Sequence, residues 1–169
     1  MQRPKGYSAL RRGRFSAPGL LYFLTICVAD RDRVLTCQDT GTNISREIER
    51  MSSGGIWQVH AFTLMPDHLH LVAELGELLS LSQAVARLKS KTKSALQTKN
   101  AKWQENYFDH RMAPDESLLP VLLYIYLNPY RKNLIMSSEK WPWFFCHPDD
   151  WLWFKDHLTD ELPEPAWLL

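Results

Sequence analysis

Leu20–Ala29 (LLYFLTICVA) is rich in β-branched and aromatic residues, which predicts a strand. Ile56–Leu64 (IWQVHAFTL) and His68–Leu75 (HLHLVAEL) have the same character. The Met65-Pro66-Asp67 step between them is turn chemistry, so these two strands are expected to form a hairpin. Thr42–Met51 reads as a helix, with Asn43 or Thr42 as its N-cap and Gly54-Gly55 just past its end. Ser80–Thr98 reads as a longer helix, with Leu81, Ala84, Val85 and Leu88 on one face at helical spacing. Pro114-Asp115-Glu116-Ser117 looks like a helix start, with Ser117 or Asp115 as cap, and Leu118–Leu127 is the apolar helix that follows. Proline disfavours helical geometry at the residue before it, so Asn128-Pro129 predicts a break near Asn128. The remainder is aromatic and proline-rich, and is expected to pack through Trp141, Trp143, Phe144, Trp151 and Trp153. Clustered strands, a hairpin and intervening helices give an α+β class with a mainly antiparallel sheet. The expected organisation is one domain over 1–138, opened by a basic arm at 1–18, and a C-terminal extension over 139–169 packed on it.

Length and composition narrow the function classes. A chain of 169 residues with 45% apolar, 12% aromatic and 23% charged residues supports one globular core. No apolar run reaches the roughly 18 residues of a membrane span, and the first 20 residues lack the apolar core of a signal peptide. Cys27, Cys37 and Cys146 are widely spaced and odd in number, which argues against a disulfide scaffold or a CxxC zinc site and for a reducing cytoplasm. The net charge of +1 hides an asymmetry. Residues 1–138 hold 18 Lys and Arg against 12 Asp and Glu, net +6; residues 139–169 hold 2 against 7, net −5. A basic body points to a polyanionic partner.

Three features could carry chemistry. His68 and His70 are two apart on a strand, so their imidazoles share a face and could hold one divalent ion; a plain pair of sheet histidines is the other reading. Tyr124 and Asn128 are four apart on a helix and share its face, whereas Tyr126 points elsewhere. A phenol and an amide oxygen so placed could serve a substrate and a metal, or could be core residues at a helix end. Arg87, Lys89, Lys91 and Lys93, with Lys99 and Lys102 beyond, lie in a stretch that has no acid between Glu77 and Glu105. They suit either phosphate contacts or a solvated helix face. The arm adds Arg3, Lys5, Arg11, Arg12 and Arg14 without an acid.

Taken together, ALRRGRFSAPGLLYFLTICVADR, MPDHLHLV, WQENYFDHRM, YIYLNPYRKNLI and KWPWF occur in this order over residues 9–145, and the chain resembles the REP-associated tyrosine transposases of the HUH single-tyrosine family. Tyr130 departs from the pattern, standing where the family usually has a small β-branched residue. The resemblance implies a palm or RNA-recognition-like antiparallel sheet with flanking helices. It implies Mg²⁺- or Mn²⁺-dependent cutting and rejoining of single-stranded DNA beside REP-like hairpins. His68, His70 and Asn128 would then be metal ligands and Tyr124 the nucleophile, and the basic arm would contact DNA next to the hairpin. The implied setting is the bacterial cytoplasm, associated with the nucleoid, with no membrane partner, as a monomer or homodimer. Two competing expectations are a domesticated binder of hairpin DNA or RNA that cuts little, and a small metal-dependent hydrolase of other phosphodiesters.

Overall fold

The computed structural model describes residues 16–158. Arg3, Lys5, Arg11, Arg12 and Arg14 of the basic arm lie outside the described residues. Five strands form one antiparallel sheet in the order β4-β1-β3-β2-β5. They are β1 (Leu21–Cys27), β2 (Trp57–Leu64), β3 (His68–Leu75), β4 (Phe108–Arg111) and β5 (Phe144–Cys146). β2 and β3 form the expected hairpin, closed where the Met65 N–H donates to the His68 carbonyl at 2.8 Å.

The strand period of two sorts side chains between the faces. On β1, Tyr22, Leu24 and Ile26 are buried on one face, while Leu21, Phe23 and Thr25 are half-buried on the other. Two helices, α1 (Gln38–Ser53) and α2 (Leu81–Gln97), supply Ile44, Ile48, Val85 and Leu88 to the same core as Tyr22, Leu24 and Ile26. The second core joins Ala61 and Val72 of the sheet to Leu122 and Ile125 of α3 (Leu119–Arg131) and to Phe154 of α4 (Pro148–Phe154). Each fully buried Leu, Ile or Val contributes about 1.5–3 kcal/mol through apolar area removed from water. Among the described residues no helix is long and apolar enough to cross a membrane.

Two helix boundaries differ from those the sequence predicts. α1 starts at Gln38 with Cys37 at its cap, ahead of Thr42, and takes in Gly41. Gly41 looks like a breaker, yet it is a packing residue: a Cβ there would sit 2.5 Å from the Trp143 ring. α3 runs through Asn128-Pro129 to Arg131, with no break at Asn128. Leu127, Asn128, Pro129 and Tyr130 are all buried, so tertiary packing overrides the local cost of proline. The last turn is closed by Lys132 and Leu134 N–H groups on the Asn128 and Pro129 carbonyls, at 3.1 and 2.9 Å. At the other end Leu118 is the cap, and the Ser117 hydroxyl accepts from the Leu119 N–H at 3.4 Å.

The C-terminal stretch is woven into the sheet. β5 pairs with β2 along Ala61–Thr63. The Trp141 indole donates to the Leu64 carbonyl at 3.0 Å, Trp143 joins the first core, and Phe144 and Trp151 join the second. Trp153 is the exception among the expected anchors: it is 38% exposed, with its ring edge-on to Phe154.

Candidate functional site

β3 presents His68 and His70 on the sheet face that α3 crosses. Their Nε2 atoms are 3.1 Å apart. Each ring is held from behind through Nδ1. His68 Nδ1 lies 2.6 Å from the Asp67 carboxylate in the hairpin turn, and His70 Nδ1 lies 2.9 Å from the hydroxyl of Thr25, its cross-strand neighbour on β1. A carboxylate only accepts, so His68 carries its proton on Nδ1 and turns a lone pair outward from Nε2. Thr25 can donate or accept, so the His70 tautomer can follow what its Nε2 meets.

Burial disfavours the charged form of both rings. Burial pushes the His70 pKa well below the usual histidine value, and the neighbouring His68 pushes the same way. Burial also lowers His68, against the opposing hydrogen bond and charge of Asp67. Burial raises the Asp67 carboxyl, but the His68 hydrogen bond and the His68 and Arg31 charges outweigh it and hold the pKa below the usual value. Arg31 reaches Asp67 at 3.4 Å from a turn in which Asp30 and Arg31 both have positive φ, 55° and 58°. Such backbone is uncommon outside glycine.

α3 lays Tyr124 over the pair, with its hydroxyl 3.3 Å from His70 Nε2. Phe23 of β1 stacks on the His70 ring and meets Tyr124 edge-on. Tyr126 turns away, into an aromatic group with Tyr130, Phe144 and Phe154. Burial and then the Tyr130 hydroxyl raise its pKa to about 12, which makes it a poor nucleophile. Asn128 is buried one turn beyond Tyr124 on the same helix face. Tyr130, the departure from the family pattern, donates its hydroxyl hydrogen to the Glu139 carbonyl at 2.9 Å and ties down the loop after α3.

The donor set suits a divalent ion. Adjacent ligands of an octahedral ion at about 2.1 Å are about 3.0 Å apart, close to the Nε2 separation of 3.1 Å. The Asp67–His68 contact is the carboxylate–imidazole arrangement that orients metal-binding histidines. Among the described residues no group of three or more His, Cys, Asp or Glu could hold a metal ion, so any ion on this pair would need donors of another kind.

The basic side chains divide. Arg87, Lys91 and Lys93 are exposed on α2, which packs on the sheet face opposite the histidines. Lys89 turns inward, its ammonium donating to the carbonyls of Gln104, Glu105 and Asn106 at 2.8, 3.2 and 3.1 Å. Burial lowers its pKa to about 8 against the pull of Cys27 and Glu105. Lys89 thus braces the loop before β4, where the sequence suggested a phosphate contact. Sequence reasoning also missed Thr25, Asp67 and Arg31. Asp67 could have been found from its place next to His68; Thr25 is 45 residues from His70 and is brought there only by strand register.

The IS200-like transposase family matches residues 16–116 of this chain. A REP-associated tyrosine transposase of Escherichia coli strain K12 is 23% identical over 138 residues, covering 80% of this chain and 82% of that protein. A solved structure of the REP-associated tyrosine transposase bound to a REP hairpin superposes with a TM-score of 0.66 at 21% identity, covering 90% of this chain and 93% of the other.

Proposed function

The chain belongs to the IS200-like transposase family, and on that footing we propose that it cuts and rejoins single-stranded DNA next to a hairpin through Tyr124. The observation that carries the reading is the convergence of three groups from two elements: the Tyr124 hydroxyl 3.3 Å from His70 Nε2, itself 3.1 Å from His68 Nε2. His68, His70 and Asn128 would hold Mg²⁺ or Mn²⁺. Such an ion, when bound, supplies positive charge to the scissile phosphate and to the leaving oxygen.

The protein's own groups do the rest. Asp67 and Thr25 keep both imidazoles turned toward the phosphate. Tyr124 Oη attacks phosphorus and its proton passes to solvent. The P–O3′ bond breaks and the leaving O3′ takes a proton from solvent, giving a 5′-phosphotyrosine and a free 3′-hydroxyl. The covalent bond retains phosphodiester energy, so another 3′-hydroxyl reverses the step without a nucleotide cofactor. Exposed Arg87, Lys91 and Lys93 suit phosphates of DNA lying away from the cut, since α2 covers the opposite sheet face. The REP hairpin in the related structure is the chemical precedent for the hairpin.

The test is incubation of the full chain with labelled single-stranded hairpin oligonucleotides and Mn²⁺, followed by denaturing gels. A labelled band at the mass of protein plus DNA is expected. Binding without any such band would favour a hairpin-binding protein that does not cut.

A further inference from the structure

We propose that the groove beside Tyr124 seats one nucleobase of the DNA strand that carries the scissile phosphate. This rests on the strand-transfer reading and adds a base subsite to it. The groove encloses about 580 Å³ and is lined by Phe23, Phe108, His110, Glu116, Val121 and Tyr124, with Ser117 and Pro120 completing the wall. Its location places any occupant within about one nucleotide of the attacking hydroxyl, because Tyr124 is both nucleophile and wall.

The lining selects the occupant. Among the described residues the lining holds no Lys or Arg, and Glu116 contributes a carboxylate. The Ala113 N–H at 3.0 Å and His110 Nε2 at 2.9 and 3.0 Å hold that carboxylate, and together they keep its pKa below the usual value. Among the described lining residues a phosphate would meet the Glu116 carboxylate with no Lys or Arg beside it. A flat, uncharged aromatic group meets the opposite: two phenyl rings, a phenol and an aliphatic floor, with a polar His110–Glu116 rim for its heteroatoms.

Phe108 supplies the second observation. It sits on edge strand β4 with 59% of its surface exposed, opposite Thr25, the residue that holds His70. An aromatic ring so exposed beside a site for single-stranded DNA is a stacking platform, and one base stacked on such a ring contributes about 1–3 kcal/mol. Phe23 cannot move to take that part, because it already stacks on His70 with centroids 5.4 Å apart. Phe108 is thus the ring available for a base.

The experiment is a binding cycle on the full chain, read by fluorescence anisotropy in excess chelator so that no cutting is required. The probe is a stem-loop oligonucleotide with single-stranded arms, carrying one abasic site at each arm position in turn. With the parent protein, an abasic site at one position should weaken binding about tenfold. Phe108→Ala should weaken intact DNA by about the same factor, and the two effects should not multiply. Phe108→Tyr should restore affinity, and an unchanged melting curve for Phe108→Ala excludes a folding defect. The proposal is overturned if no abasic position changes affinity by more than about twofold, or if the two effects multiply. Adduct formation in Mn²⁺ is scored separately: its absence counts against strand transfer alone, while an adduct without the non-multiplying pair of effects counts against the base subsite alone.

Discussion

Asp67 touches no substrate in this account, yet it sets the orientation and protonation of His68 through a 2.6 Å contact. Removing such a carboxylate from behind a metal-binding histidine typically costs about 10–100-fold in metal affinity. Asp67→Ala should therefore raise the Mn²⁺ concentration for half-maximal cleavage by that order and leave the rate at saturating Mn²⁺ much less affected. An unshifted Mn²⁺ curve would mean that His68 needs no such support. Asn128→Ala should be milder than His70→Ala, since water can replace one neutral oxygen donor. The two tyrosines differ as sharply. Tyr126 is half-buried in an aromatic group with its pKa raised to about 12 by burial, whereas Tyr124 faces His70. Tyr126→Phe should keep strand cleavage on a denaturing gel; loss of cleavage there would move the nucleophile.

Among the elements, Lys89 shows how a surface-looking residue becomes structural. Three carbonyls of residues 104–106 converge on its ammonium, and Lys89→Met would leave them short of donors, costing about 1–3 kcal/mol in chemical unfolding. The pH dependence has a definite sign. Burial lowers the pKa from 10.5 to about 8, so between those values the unfolded chain binds more protons than the folded one. The stability contribution from this group is present above pH 10.5 and is lost as pH falls through about 8. The stability difference between the parent and Lys89→Met should therefore change across that window; a difference independent of pH would show that folding leaves the Lys89 pKa unchanged. Gly41→Ala should destabilise through the Trp143 ring, which a Cβ would approach to 2.5 Å; an unchanged melting temperature would mean that the ring simply moves aside.

The same elements show what was legible in the sequence. The β2–β3 hairpin and α2 carried their signals locally, in Met65-Pro66-Asp67 and in the helical spacing of Leu81, Ala84, Val85 and Leu88, and both appear where expected. His68 with His70 and Tyr124 with Asn128 were legible as pairs because periods of two and 3.6 put them on shared faces. The cap at Thr42 or Asn43 and the break at Asn128 were misplaced, since Gly41 packs within α1 against Trp143 and Asn128-Pro129 are buried within α3. Thr25 gave no signal at all, because a lone threonine in a strand is ordinary until strand register sets it against His70.

At the scale of the molecule, the sheet separates two kinds of chemistry. One face carries the histidines, Tyr124 and the groove beside Phe108; the helix on the other face carries exposed Arg87, Lys91 and Lys93. Charge and metal should therefore separate in experiment. Hairpin binding should fall steeply with salt. Replacing Arg87, Lys91 and Lys93 by Ala should make that slope shallower, by about one unit for each phosphate no longer neutralised. Chelator should leave much of the hairpin binding in place while it stops cleavage; binding that collapses with the metal would contradict the separation. The central claim is that Tyr124 is the residue that becomes joined to DNA. Its most direct test is mass spectrometry of the protein after incubation with a single-stranded hairpin oligonucleotide and Mn²⁺. The account predicts one DNA fragment attached at Tyr124 in the parent protein and none in Tyr124→Phe, which still binds the hairpin; an adduct that persists in Tyr124→Phe, or that maps to another residue, would contradict it.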